Sequence, residues 1–279
     1  MTVSDVFKTV RNTLEKAGCD SPAFDACCLL EDLAYLPRSR RLESDETILT
    51  AETVQKVLKA ASRRANGEPL QYILGEWEFL TLTLSVGKGV LIPRPDTELL
   101  CEVAAEQLKN LLHPTVLDLC AGSGCVGLGL CSLLPVASVT EVELSEDAAV
   151  YLRQNLKRYP AFDAQLVTDD VLSPSKTYLP VDAILSNPPY IPTADIGGLM
   201  REVQHEPKMA LDGDADGLRF YRAITNNWLP YLKQGGLLAV EIGIGQAADV
   251  KALFETAGLH HIAVYRDLGG VERVVTGRK

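Results

Sequence analysis

Asn187-Pro188-Pro189-Tyr190 follows directly on the apolar run Ala183-Ile184-Leu185-Ser186. A short apolar run closed by proline predicts a buried strand. The tetrapeptide is therefore expected to project from a strand end, where open α/β sheets gather their ligand chemistry. The Asn187 side chain and the proline-fixed carbonyls are acceptors able to grip an NH2 group, and Tyr190 offers a flat face to a planar substrate. Asn-Pro also marks ordinary turns, so these four residues alone do not separate a turn from a site.

A second constellation runs Asp118-Leu119-Cys120-Ala121-Gly122-Ser123-Gly124-Cys125-Val126-Gly127. Gly122, Gly124 and Gly127 form a GxGxxG pattern that lets backbone approach a nucleotide-like ligand. Glu143 ends the next strand about 20 residues on, where a carboxylate accepts from ribose hydroxyls. Dinucleotide enzymes and S-adenosylmethionine enzymes share this geometry. Asp118 shifts the balance, because a carboxylate just before the loop opposes a pyrophosphate and suits an ammonium group, directly or through water. Asp170, after the third strand region, is placed to meet an adenine amino group; the alternative is a turn or helix cap. The expected cofactor contacts are Asp118, Cys120, Ala121, Gly122, Ser123, Gly124, Glu143, Asp170 and Asn187. No metal is expected. Four histidines at 113, 205, 260 and 261 have no ligand spacing, even with Glu206 beside His205. The Asp212–Asp216 run lacks the register and closing Glu of a calcium loop and reads as solvated.

The elements that must position these residues are legible in outline. Val3, Phe7, Val10, Leu14 and Ala17 form one helical stripe, with Gly18 as a stop. Ser21-Pro22 opens a second helix through Ala26, Leu29, Leu30 and Leu33, closed by Pro37. Thr50 caps a third with Val54, Val57, Leu58 and Ala61 inward, Arg63 and Arg64 in its last turn and Gly67 beyond. Leu80, Leu82, Leu84 and Val86 then alternate with polar residues, and Val90-Leu91-Ile92 follows Gly87-Lys88-Gly89, which predicts a β-hairpin turning at those glycines. From residue 114 onward strands and helices alternate, predicting a parallel sheet with helices on both faces. The expected division is a helical recognition domain over 1–68, a hairpin linker over 69–93 and a cofactor-binding catalytic domain over 94–279.

Composition bounds the partners. The 279 residues are 47% hydrophobic and 23% charged, ordinary for a chain that buries a sizeable core. Net charge is −10, with 12 basic against 13 acidic residues in 1–94 and 15 against 24 in the rest. That balance lacks the basic footprint of a DNA-binding surface; Arg38-Ser39-Arg40-Arg41 is the tightest basic cluster and reads as a solvated loop. No apolar run approaches the roughly 20 residues that span a bilayer, and the N-terminus has no signal-peptide pattern. Seven cysteines in apolar settings, without CxxC spacing, predict a reducing cytoplasm.

With these residues in hand, the chain resembles class I S-adenosylmethionine-dependent methyltransferases, and more closely the peptide chain release factor glutamine methyltransferase (PrmC/HemK) family. The resemblance covers nearly the whole chain. It rests on Pro69-Leu70-Gln71-Tyr72-Ile73-Leu74-Gly75, Leu91-Ile92-Pro93-Arg94-Pro95-Asp96-Thr97-Glu98, the glycine loop and the Asn187–Tyr190 segment. His205-Glu206-Pro207, Ala210-Leu211-Asp212-Gly213, Asp216-Gly217-Leu218 and Glu241-Ile242-Gly243 complete it. It implies a Rossmann-like α/β fold with a seven-stranded methyltransferase sheet and a small helical bundle joined by a β-hairpin. It also implies S-adenosylmethionine as cofactor and methylation of the glutamine in the Gly-Gly-Gln motif of release factors. Partners would be release factors, without nucleic acid or membrane, and the chain a monomer. Two departures stand out: Ala121 lacks the hydroxyl of the family's usual Thr, and Glu143 replaces the commoner Asp, which touches cofactor affinity more than identity.

An amide nitrogen is a poor nucleophile, so the expected catalytic residues Asn187, Pro188, Pro189 and Tyr190 act by orientation and electrostatics rather than as a base. Asn187 Oδ1 and the Pro188 carbonyl would accept the two amide hydrogens, Pro189 would shape the pocket, and Tyr190 would pack on the amide plane. The alternatives are a glutamine methyltransferase acting on a ribosomal protein, an adenine-N6 nucleic-acid methyltransferase and a non-catalytic module on the same scaffold.

Overall fold

The computed structural model describes residues 1–37 and 41–279, so Arg38, Ser39 and Arg40 of the basic cluster lie outside the described residues. The chain divides into two compact units, residues 1–75 with 200–205 and residues 76–199 with 206–279.

The first unit is built from α1 (Val3–Lys16), α2 (Pro22–Leu33), α3 (Ala51–Ala65) and the short α4 (Leu70–Leu74). Val3, Phe7, Val10 and Leu14 are buried along one stripe of α1, and Ala17 falls past its end, exposed. A capping box sets where α1 begins: Thr2 accepts from the Asp5 amide and Asp5 accepts from the Thr2 amide. Ser21 stands at the start of α2 without a capping bond, leaving Pro22 to set the first turn. Arg64 is buried rather than solvated. Its guanidinium lies 2.7 Å from Asp25 and 2.7 Å from Glu202, so the 200–205 segment supplies half of its counter-charge.

The second unit opens with a hairpin of β1 (Glu76–Phe79) and β2 (Leu82–Ser85). Its turn is at Leu80-Thr81, not at Gly87-Lys88-Gly89 as the glycine signal suggests. The reason is non-local. The Glu98 carboxylate accepts from the Leu80 amide, with Leu80 at φ 50°, and side chains from a later helix hold the outer edge of β2. Tyr159 bonds both backbone groups of Thr83, and Asn155 bonds both of Ser85.

After α5 (Pro95–Leu108) come β3 (Thr115–Leu119), α6 (Cys125–Leu133), β4 (Ser138–Glu143), α7 (Glu146–Arg158), β5 (Asp163–Thr168) and β6 (Val181–Ser186). The short α8 (Arg219–Ala223) leads into a π-helical turn at Ile224–Trp228, then β7 (Leu232–Glu241), α9 (Ala247–Thr256), β8 (His260–Arg266) and β9 (Glu272–Arg278). The seven strands are ordered β5-β4-β3-β6-β7-β9-β8. The sheet is mostly parallel; β9 alone runs antiparallel to both of its neighbours. Period-two alternation does not encode strand direction, so the sequence pattern missed this inversion. Adjacent residues of β3 serve opposite layers: Val116 belongs to the core with Leu100 and Leu128, and Leu117 to the core with Ile224 and Trp228. With both faces covered, ligand access is left to the strand ends.

Candidate active site

A cavity of about 500 Å³ opens over the C-terminal ends of β3, β4 and β6. That volume suits a nucleoside-sized ligand. The loop after β3 forms its floor. Cys120 turns the chain at φ 62°, a left-handed conformation costly for a side chain with a Cβ. Gly124 continues at φ 81° and starts α6; a Cβ there would lie 2.4 Å from Leu152 Cδ1. Cys120, Ala121, Gly122 and Ser123 line the cavity, whereas Gly124 lies behind it as the helix start. Burial pushes the Cys120 and Cys125 thiols well above the usual cysteine range, so neither is a thiolate nucleophile.

Glu143 and Asp170 both reach the cavity. Glu143 Oε2 accepts from the Gly122 amide at 2.8 Å and Oε1 from the Ser145 amide at 2.6 Å. Burial pushes its pKa up, against the pull of these amides. Asp170 meets the cavity and also serves as a turn cap, its Oδ1 accepting from the Leu172 amide at 2.8 Å. The turn-cap reading of Asp170 is thus seen directly, and the same side chain faces the cavity.

Asp118 is placed differently from the sequence expectation. It does not line the cavity and is almost fully buried beneath the first turn of α6, where Oδ2 accepts from the Gly127 amide at 3.0 Å. Strand alternation explains this, since a residue one step before the strand end points into a layer rather than off the edge. Asp118 lies against Glu141, also fully buried. Desolvation raises the Asp118 carboxyl to about 7, and it raises Glu141 well above the carboxylate range. Burial and the neighbouring acid hold both carboxyls above their ordinary range.

Asn187 and Pro189 line the cavity. Asn187 Nδ2 donates to Thr97 Oγ1 at 3.1 Å, which turns Oδ1 away from that contact. Pro188 is buried and Tyr190 turns away from the cavity. The Tyr190 hydroxyl donates to Glu241 Oε1 at 3.3 Å, and its carbonyl accepts from Gln246 Nε2 at 2.9 Å. The ring is therefore not among the residues that line the cavity. Sequence reasoning assigned no role to Thr97, Glu206, Glu241 or Gln246. Thr97, Glu206 and Glu241 stand in segments that carry the family resemblance, and that was the available signal. Glu206 accepts from the Ile92 amide at 3.0 Å and pairs with Arg94, fixing the cavity rim.

The PrmC N-terminal domain family matches residues 5–75 and the methyltransferase small domain family matches residues 96–211. The chain is 39% identical over 279 residues to the release factor glutamine methyltransferase of Geobacter sulfurreducens, covering 99% of this chain and 96% of that one. The chain belongs to the release factor glutamine methyltransferase family. The family member from Vibrio cholerae is 36% identical, covering 100% of this chain and 97% of its own. Among solved structures, the T. thermophilus 16S rRNA N2 G1207 methyltransferase, in complex with AdoMet and guanosine, superposes with a TM-score of 0.52 at 21% identity. It covers 73% of this chain and 49% of that one, and the likeness is one of fold.

Proposed function

We infer that this chain methylates the side-chain amide nitrogen of the glutamine in the Gly-Gly-Gln motif of peptide chain release factors, using S-adenosylmethionine. The observation that carries this is the sharing of one cavity by two halves of a site: Asn187 and Pro189 on one side, the glycine loop with Glu143 and Asp170 on the other.

The residues present fit the cofactor. Glu143 and Asp170 offer acceptors for ribose hydroxyls and an adenine amino group. Val142 and Val171 supply apolar walls, and the 120–123 backbone permits close approach. When bound, S-adenosylmethionine supplies an electrophilic methyl group. The protein's part is to hold the acceptor. Asn187 Oδ1 and the Pro188 carbonyl take the two amide hydrogens, orient the nitrogen and stabilise positive charge as it develops there. Pro189 shapes the cavity, and the amide proton leaves to water. Asp118 supports the loop from below, and Tyr190 is anchored to Glu241 and Gln246. Residues 1–68 are assigned to substrate recognition, 69–93 to linkage and 94–279 to catalysis.

We take the enzyme to act as a monomer in the cytoplasm on a protein substrate, without nucleic acid or membrane. Its seven free cysteines and net charge of −10 support this reading, and no described helix is long and apolar enough to cross a membrane. The test is mass spectrometry of a release factor incubated with enzyme and cofactor. Wild type adds one methyl to the glutamine fragment. Asn187→Ala loses at least about 100-fold in kcat while calorimetry shows cofactor affinity kept. An unmodified glutamine with the wild-type enzyme overturns the reading.

A further inference from the structure

The chain leaves β6 as a stiff rod. Ser186 is paired in the sheet with Leu119 and Val240, and the rings of Pro188 and Pro189 lock their own φ. Each proline also restricts the residue before it, so Asn187 and Pro188 keep little backbone freedom. The far end of the rod is the Tyr190 carbonyl, and Gln246 holds it. Gln246 Nε2 donates to the Tyr190 carbonyl at 2.9 Å and to the Gly217 carbonyl at 3.4 Å, while Oε1 accepts from the Gly243 amide at 2.9 Å. All three partners are backbone groups of fixed polarity, so the Gln246 amide fits one way round.

Gln246 stands at the N-cap of α9, where a polar side chain ordinarily caps its own helix. It makes no such bond and reaches back to three other segments instead. Those segments are shaped for close approach. Gly217 sits at φ 73°, and a Cβ on it would lie 2.3 Å from the Tyr190 oxygen; a Cβ on Gly213 would lie 2.9 Å from the Tyr190 carbonyl carbon. The Gly213 amide donates to the Ile191 carbonyl at 2.8 Å, and the Ile191 amide donates to the Leu211 carbonyl at 2.9 Å. The same loop brings Met209 and Asp212 to the cavity that Asn187 and Pro189 line, whereas Gln246 does not touch it.

We propose that Gln246 is a positioning residue for methyl transfer: it fixes the Tyr190 carbonyl and, through the proline rod, the Pro188 carbonyl that receives the substrate amide. This rests on the amide-methylation reading above. A backbone carbonyl cannot swing to find its hydrogen, so it must already stand where the reaction needs it. The sheet sets one end of the rod and Gln246 the other. A slack far end would let Pro188–Tyr190 pivot about Asn187 and displace the acceptor nitrogen, leaving the Glu143 and Asp170 half of the cavity untouched.

The experiment is steady-state kinetics on a release factor, with cofactor calorimetry, for Gln246→Glu and Gln246→Met. At about pH 8, above the carboxylate range, Q246E keeps an acceptor for the Gly243 amide and sets a negative charge against two carbonyl oxygens. Q246M keeps the length and loses both donor and acceptor. Misplacement on the scale of 1 Å is expected to lower kcat about 10–100-fold in each variant. Release factor KM and cofactor Kd should stay within about threefold of wild type, with bound cofactor per chain unchanged. Wild-type kcat in Q246E overturns the proposal, because the Gly243 contact alone would then suffice. Wild-type kcat in Q246M overturns it as well. So does a loss of cofactor affinity of about tenfold, which would place the role on the cofactor side. Should Q246E not fold, Q246M decides by the same outcomes; lost cofactor binding per chain in both variants is again fatal, since the residue would then serve folding alone. A wild-type enzyme that leaves the glutamine unmethylated refutes the functional reading instead, so the two failures are distinct.

Discussion

The Glu143 carboxylate grips the Gly122 amide at 2.8 Å, joining the end of β4 to the loop after β3. The same carboxylate accepts from the Ser145 amide and still faces the cavity, so one side chain shapes the loop and offers acceptors to a ligand. The longer Glu, in place of the commoner Asp, is thus used for a local task that the sequence pattern did not foretell.

Glu143→Gln should therefore damage binding twice. The Gln amide keeps one acceptor oxygen and puts a donor NH2 against a backbone N–H. A hydrogen bond to a charged group is worth about 1.5–3 kcal/mol, so cofactor affinity should fall roughly 10–100-fold by calorimetry. Unchanged affinity would contradict the double role.

Gly127 makes room for Glu141. A Cβ at Gly127 would lie 2.2 Å from Glu141 Oε1, and Glu141 has no exposed direction in which to move. Gly127→Ala is expected to cost about 1–3 kcal/mol through overpacking. Glu141→Ala should recover part of that cost, giving a favourable coupling of at least about 0.5 kcal/mol in a double-mutant cycle by denaturant unfolding. Additive effects would refute the contact.

The buried acid pair makes stability depend on pH. Asp118 titrates at about 7 in the folded chain, above its ordinary value, so the native state binds the extra proton between about pH 4 and 7. The stabilisation from this proton is fully present below the unfolded pKa and is lost as pH rises through 7. Asp118→Asn keeps the acceptor for Gly127 and donates to Glu141. Its Tm advantage over wild type should be absent near pH 4 and reach at least about 3 °C at pH 8. An advantage independent of pH would dispose of the raised Asp118 carboxyl.

Asn155, on α7 and fully buried, bonds both backbone groups of Ser85 and donates to the Ser123 carbonyl at 2.9 Å. Asn155→Ala leaves these groups unpaired and should cost about 2–4 kcal/mol in urea unfolding, as groups worth 1–3 kcal/mol each are desolvated. A loss below about 0.5 kcal/mol, the scale of a neutral surface change, would mean that the hairpin and glycine loop are held by other contacts.

Local periodicity and punctuation carried much of the fold. The α1 stripe, the buried strand before Asn187 and the glycine loop are all statements about residues within a few positions of one another. The misses share a physical cause. The hairpin turn is set by Glu98, the outer edge of β2 by Asn155 and Tyr159, and the Asn187 side chain is held by Thr97. Each partner is far along the chain, where spacing holds no information. Asp118 is singled out by the pattern, and the structure places it beneath α6 rather than on the cavity wall, because the pattern shows that a strand carries an acid but not which layer receives it.

The Arg64–Glu202 ion pair bears on how the polypeptide is made. Residues 200–205 leave the ribosome only after β3, β4, β5 and β6 have been synthesised. Until then the nascent helices offer the Arg64 guanidinium one carboxylate, Asp25, beside the Glu68 carbonyl, which leaves its charge half compensated. The first unit to emerge is therefore completed late, and its final stability is withheld until most of the sheet strands exist to fold with it.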